Sequence, residues 1–223
     1  GLVIPALNKK GIYIGTKIKN IAGVNDCDFA NAQDIKDISK KDFPVLDDNI
    51  GKAMQEKILA AKESGDSVGG ILQTAVIGLP AGVGEPWFDT VEGMLSHAIF
   101  SIPAVKGIEF GLGFGFANST GSVANDQMYV DGETVKCYTN NNGGVIGGIT
   151  NGMPITFRCA VKPTPSIYKK QETVNFKEKT NDELLIEGRH DPAIIHRAVV
   201  VIDSVTALTL CDLLISRFGT DYF

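Results

Sequence analysis

The sequence predicts an α+β fold built on antiparallel sheet. Three observations carry that expectation. Stretches that alternate apolar and polar residues follow one another directly, as between Gln127 and Glu187, rather than alternating with helices. Helical periodicity is confined to residues 47–61, 89–101 and 193–214. Clusters of Gly, Pro and Asn separate the segments and supply turns of the hairpin kind.

Each element has its own signal. Gly11 to Ile21 alternates through Ile12, Ile14, Thr16, Ile18 and Asn20, a strand with one buried face. Residues 25–41 are polar and irregular, with room for one short helix. Asp47 to Ala61 places Ile50, Met54, Ile58 and Ala61 on one helical face, and Gly65 stands just past its end as a stop. Asp66-Ser67-Val68-Gly69-Gly70 opens a strand over 71–79. The Pro- and Gly-rich loop 80–86 then leads to a helix from Asp89 to Ser101, with His97 on the flank of its apolar stripe as a packed histidine.

A strand follows at 108–110, and Gly111 to Phe116 carries glycines without the strand–loop–helix setting of a phosphate loop. Residues 118–126 form a polar surface loop, and 127–139 a hairpin turning at Asp131-Gly132. Asn140 to Gly148 holds four glycines in six residues, which suits a close backbone approach either to a flat ligand or within a tight turn. Met153 to Val161 alternates cleanly, with Ile155, Phe157, Cys159 and Val161 on one face. Lys162-Pro163-Thr164-Pro165-Ser166 is a stiff polar loop, able to hold a phosphate or to serve as a solvated connector. Short strands at 173–176 and 183–187 lead to Gly188-Arg189-His190-Asp191-Pro192.

That last pentapeptide precedes the longest apolar run in the chain. Asp191 as N-cap and Pro192 as first helical residue predict a helix start, its positive end aimed at whatever Arg189 and His190 face. The run is long enough to raise the question of a membrane span, but His196, Arg197, Asp203 and Asp212 interrupt it, and a core helix is expected. As an N-cap, Asp191 has a structural role available besides a catalytic one.

Bulk properties narrow the function. The net charge of −5 argues against a general nucleic-acid binder. The cysteines, Cys27, Cys137, Cys159 and Cys211, are dispersed and form no CxxC pair, which fits a reducing, cytoplasmic setting and no zinc site. His190 and His196 are not spaced for one helix face, so a metal pair is not expected. No cationic segment precedes Leu2-Val3-Ile4, so no signal peptide is read, and no starting Met is present.

Six stretches, in order, resemble the chorismate synthase family: DSVGG at 66–70, GLPAGVGEPWFD at 78–89, SIPAVKGIEFGLGF at 101–114, NNNGGVIGG at 140–148, KPTPS at 162–166 and GRHDP at 188–192. The resemblance implies a sandwich of helices between antiparallel β-sheets. It implies that residues 1–223 are the C-terminal two-thirds of a family domain. The N-terminal part, with its Ser-His motif, second histidine and Arg-rich flavin motif, has no match here, so this portion alone is expected to be inactive. The implied reaction is a 1,4-elimination of phosphate from 5-enolpyruvylshikimate 3-phosphate to give chorismate, on the route to the aromatic amino acids. It requires reduced FMN, and whether NADPH or an outside agent reduces the flavin is left open.

The positions that fall on the family's flavin-binding pattern are Pro103, Ala104, Gly147, Lys162, Pro163, Thr164, Pro165, Ser166 and Arg189, and Asp191 falls on its catalytic aspartate. These residues are expected to line one cleft. Where the family has glutamate, this chain has Asp203, read as a core or interface detail. The implied assembly is a homotetramer, with neither nucleic acid nor membrane as partner. A non-catalytic flavin-binding, anion-binding or assembly module is the alternative.

Overall fold

The computed structural model describes all of residues 1–223. In chain order, the helices are α1 (Val3–Lys9), α2 (Ala32–Asp37), α3 (Asp48–Glu63), α4 (Val91–Ile99), α5 (Gly121–Ala124) and α6 (Ile195–Phe218). The strands are β1 (Tyr13–Ile21), β2 (Val24–Asn25), β3 (Gly70–Ile77), β4 (Val105–Phe110), β5 (Met128–Asp131), β6 (Thr134–Cys137), β7 (Val145–Ile146), β8 (Ile149–Thr150), β9 (Ile155–Val161), β10 (Gln171–Asn175) and β11 (Thr180–Leu184). One five-stranded sheet, ordered β2-β1-β3-β9-β4 and antiparallel throughout, organises the molecule. The remaining strands form three two-stranded ribbons. The expected α+β class with antiparallel pairing is what is seen. These residues contain one large sheet rather than two.

Period-two alternation decides which side chains meet the helices. Ile14, Thr16 and Ile18 of β1, Leu72, Thr74 and Val76 of β3, and Ile155, Phe157 and Cys159 of β9 are all buried. They share a core with Leu95 and Ile99 of α4 and with Ile195, Ile202, Leu210 and Leu214 of α6. The helix α6 lies across β1 and β3, and α1 and α4 flank it. It is long and apolar enough to cross a membrane, yet the face it turns to the sheet is buried in the protein core. Its opposite stripe, Val200, Val201 and Leu208, is uncovered.

The second face of β1 departs from expectation. Alternation predicts one buried face, but Gly15 and Lys17 are buried as well. Helix α2 sits so close to Gly15 that a Cβ there would overlap the Ile35 carbonyl. The Lys17 ammonium reaches Asp26 Oδ2 at 2.9 Å, with both side chains fully enclosed. Asp26 also accepts the backbone N–H groups of Leu46 (2.8 Å) and Asp47 (3.1 Å), which fixes the entry to α3. Burial works against the charge on each partner. For Lys17 it prevails and lowers the ammonium below its usual range. For Asp26 the two N–H donors and Lys17 outweigh it and hold the carboxyl low.

Two local expectations are corrected. His97 is exposed rather than packed. The last helix begins at Ile195, not at Pro192, and its N-cap residue Ile194 offers no side-chain cap. The reason is tertiary. The Pro192 carbonyl accepts the Val68 N–H at 2.8 Å, which draws the chain to the sheet edge before the helix can start. Asp191 Oδ1 instead approaches the Ala193 N–H at 3.4 Å, closing a local turn.

Asp203 points from the middle of α6 into the core beside Thr16, whose hydroxyl pairs with that of Thr74 at 2.8 Å. Burial, only partly offset by Thr16, pushes its carboxyl up to about 7. A carboxyl raised in the folded state favours folding most at low pH. That contribution is lost as pH rises from the ordinary carboxylate range to about 7. Between pH 5 and pH 8, Asp203 is expected to cost roughly 2–3 kcal/mol of stability. Asp203→Asn should remove this increment, seen as a smaller drop in the urea midpoint over that interval than in the wild type.

Candidate functional site

The chemistry-bearing loops converge on residues 66–70, which lead into β3 and include its first residue. Ser67 Oγ donates to the Thr164 carbonyl at 2.6 Å. Val68 N–H donates to the Pro192 carbonyl at 2.8 Å. Asp66 pairs with Lys169 at 2.5 Å. A Cβ on Gly69 would stand 2.5 Å from the Val161 carbonyl oxygen and 2.9 Å from Pro163 Cδ. A Cβ on Gly70 would overlap the Asn20 carbonyl and stand 2.6 Å from Ile195 Cδ1. Residues 66–70 therefore fasten the 162–166 loop and the 188–192 loop to the N-terminal turn of α6. The carbonyl of Ala104 joins the same corner by accepting the Lys162 N–H at 2.9 Å.

The sequence-derived site residues divide into three places. Ala104, with Pro103 before it, and residues 162–166 stand together at the C-terminal ends of α4 and β9. Asp191 belongs to the same corner through Pro192, and its Oδ2 lies 3.0 Å from Arg197 Nη2. Arg189 is exposed and lines an adjoining cleft of about 430 Å³ with Lys62, Tyr168 and His190. Gly147 is elsewhere. It sits in the β7–β8 turn, where the Gly148 carbonyl accepts the Val91 N–H at 2.9 Å. That is the N-terminal end of α4, whereas Ala104 follows its C-terminal end. The nine residues of α4 separate them, a span of about 13 Å. None of the principal clefts in this chain joins Gly147, Lys162 and Arg189.

The glycine-rich loop resolves into two uses. Gly143 and Gly144 are buried against backbone, with a Cβ at either position 2.5 Å from Gly111 N or the Pro154 carbonyl oxygen. Gly147 has nothing within 4 Å of where its Cβ would stand and is exposed. Of these three, Gly147 alone leaves room for a bound group.

Two supporting residues, Tyr168 and Asp126, carry no signal in local sequence. Tyr168 holds the GRHDP loop. Its hydroxyl donates to the Gly188 carbonyl and accepts the Gly188 N–H at 3.2 Å, while its own N–H goes to the Gly65 carbonyl at 2.8 Å. The His190 ring packs edge-on against Tyr168 with centroids 5.0 Å apart, and its Nε2 bonds the Ile186 carbonyl at 3.0 Å. His190 thus orients its loop. Asp126 accepts N–H groups from Asn141 (2.7 Å) and Asn142 (2.8 Å) and the Thr139 hydroxyl (2.6 Å), anchoring the start of the glycine-rich loop.

The corner also holds buried polar atoms without hydrogen-bond partners: Thr164 Oγ1, Asp191 Oδ2 and His196 Nδ1. Arg197 approaches Asp191 closely enough to pair its charge, though without hydrogen-bond alignment. Such orphans are costly unless something supplies their partners. A hydroxyl, a carboxylate and an imidazole thus stand unpartnered on three of the segments that meet here. No cluster of His, Cys, Asp and Glu suited to a metal ion is present. The cysteines are all free, and burial pushes the Cys159 thiol up to about 12, which leaves it inert.

Gly70→Ala tests the convergence directly. It should destabilise the fold by about 3 kcal/mol, the upper end of the overpacking range, read as a lowered urea midpoint. A variant as stable as the wild type would show that the close approach to Asn20 and Ile195 is not needed.

Known proteins give an independent view. The sequence profile of the chorismate synthase family matches residues 3–215. A chorismate synthase of Methanobrevibacter smithii is 43% identical over 210 residues, covering 92% of this chain and 57% of that protein. One from Methanocaldococcus jannaschii is 50% identical over 165 residues, 74% of this chain and 44% of that protein. A crystal structure of chorismate synthase superposes with a TM-score of 0.81 at 28% identity, covering 99% of this chain and 62% of that one. The chain spans about half the length of the curated relatives it matches. On sequence and fold together, this chain belongs to the chorismate synthase family.

Proposed function

We propose that the full-length protein to which this chain belongs converts 5-enolpyruvylshikimate 3-phosphate to chorismate by 1,4-elimination of phosphate, using reduced FMN. The observation that supports the reading most is the convergence of three of the resembling motifs, DSVGG, KPTPS and GRHDP, at one corner that retains orphaned polar atoms. Reduced flavin, when bound, supplies the electron density that helps phosphate depart.

The chain's own residues have definable tasks in this reading. Lys162 and Arg189 supply cations for an anionic cofactor and substrate. The Thr164 hydroxyl donates a hydrogen bond to the cofactor. Ala104 and Gly147 let flat surfaces come close. Asp191 is the proton acceptor, with the Arg197 guanidinium 3.0 Å from its Oδ2. The fold frees Asp191 from the N-cap position, so the carboxylate is not committed to capping helix donors. Completing the cleft requires walls that these residues do not themselves provide, and the uncovered stripe of α6 and the separation of Gly147 from Ala104 agree with that. A homotetramer in the cytoplasm, with NADPH or another reductant keeping the flavin reduced, completes the proposal.

The test is made in the full-length protein. Arg189→Ala should weaken binding of reduced FMN by about tenfold or more, as loss of a charge-assisted contact does. Asp191→Asn should slow turnover while flavin affinity stays close to wild type. Should Asp191→Asn lower thermal stability and leave turnover intact, the base assignment fails. Residues 1–223 alone are expected to show no measurable turnover. Failure of the full-length protein to bind reduced FMN would favour an assembly module instead.

A further inference from the structure

The outer face of the five-stranded sheet carries a second constellation that shares no residue with the GRHDP corner. Two clefts of about 270 Å³ and 360 Å³ adjoin there and share Asp28, Gln73, Asn140 and Thr156. Gln73 and Arg158 are cross-strand partners of β3 and β9, and Ala75 and Thr156 form the next pair on the same face. Gln73 and Arg158 thus share one row of the sheet, with Asp28 and Asn140 reaching it from loops. The apolar wall formed by Phe29, Ile35, Ala75, Ile77 and Pro154 begins at the next row.

Hydrogen bonding fixes what each polar group can still offer. The Gln73 amide sets its NH₂ on Asp28 Oδ1 at 3.0 Å, and Asn140 sets its NH₂ on the Pro154 carbonyl at 2.8 Å. Neither amide can be reversed, because an oxygen would then face an oxygen. Gln73 Oε1 and Asn140 Oδ1 are consequently buried acceptors with no donor, and each costs stability until one arrives. Terminal amide torsions are soft, so a small swing presents each oxygen to a group in the cleft.

Asp28 Oδ1 pairs with Lys19 Nζ at 2.7 Å and also accepts the Gln73 amide, which leaves Oδ2 for a ligand. Burial acts to raise its carboxyl, but Lys19 and Gln73 outweigh this and hold it below the ordinary range. Arg158 commits Nε to Glu109 at 3.0 Å and one Nη2 hydrogen to the Gly111 carbonyl at 3.3 Å. Three of its five N–H groups remain.

We propose that this double cleft binds a free α-amino acid with an apolar side chain. The ammonium meets Asp28 and the two amide oxygens. The carboxylate takes the spare Arg158 donors, and the side chain enters the Phe29–Ile77 portion. Acceptors and a guanidinium next to one another, with an apolar pocket beyond them, form the complement of a zwitterion with a hydrophobic tail. No residue of this site belongs to the corner described above, so the site serves regulation or stabilisation rather than turnover.

Calorimetric titration of the full-length protein with L-phenylalanine and L-leucine tests the proposal. Saturable binding is expected. N-acetyl-L-phenylalanine and L-phenylalaninamide should each bind at least about tenfold more weakly, since each removes one charged contact. Asp28→Asn, at an exposed loop position, and Gln73→Leu should weaken L-phenylalanine to a similar degree. Turnover without amino acid should be unchanged in Asp28→Asn, which separates this site from the proposed catalytic one. Absence of saturable heat with either amino acid overturns the proposal. So does equal affinity for the blocked derivatives, or unaltered affinity in folded Asp28→Asn.

Discussion

Everything at the functional corner depends on how closely three backbones approach the start of β3. Gly69 admits the Val161 carbonyl and the Pro163 ring, and Gly70 admits the Asn20 carbonyl and the Ile195 side chain. A methyl group at either position would push the 162–166 loop or the first turn of α6 outward. The hydrogen bonds from Ser67 and Val68 then fix the same two loops at a defined height. Two small residues and two hydrogen bonds thereby set the geometry of side chains on loops that lie about a hundred residues or more further along the chain.

The polar groups within the core divide by what they achieve. The Lys17–Asp26 pair is enclosed on the outer side of β1 and carries the backbone of 46–47, so it ties the sheet to the entrance of α3. Its partners are complete, and removing either one would leave a buried charge, which is far costlier than the pair is stabilising. Asp203 and the Thr16–Thr74 bridge lie on the inner side, beneath α6. There the carboxyl lacks a matching cation, and burial raises it to about 7, so it is protonated below that pH. The two faces of one strand thus hold opposite solutions to the burial of an acid: pairing on one side, protonation on the other.

Much of the architecture is legible from pattern. The alternation of Ile155, Phe157, Cys159 and Val161 places β9 and its inner face, and the Asp131-Gly132 turn marks the β5–β6 hairpin. The helix α3 stands at Asp48–Glu63, close to the expected span of 47–61, and the Asp47 side chain caps it. What pattern misreads is informative. Asp191-Pro192 is a strong local helix start, but the Pro192 carbonyl is taken by Val68 and the helix waits until Ile195. Alternation in β1 marks Lys17 as a solvent residue, yet Asp26 and the loop before α3 close over it. Local propensity contains no information about a partner that arrives from a distant segment.

The order of motifs, the polar chemistry of 162–166 and 188–192, and the antiparallel α+β class were determined by the sequence alone, because each rests on contacts or periodicities within a few residues. Tertiary structure decided which motifs meet. It joined Ala104, Lys162 and Asp191 through residues 66–70, set Gly147 at the far end of α4, and brought Gln73, Asn140 and Arg158 to one face of the sheet. Those placements depend on strand register and on close backbone approach between segments far apart in the chain. Neither leaves a trace in the spacing of neighbouring residues.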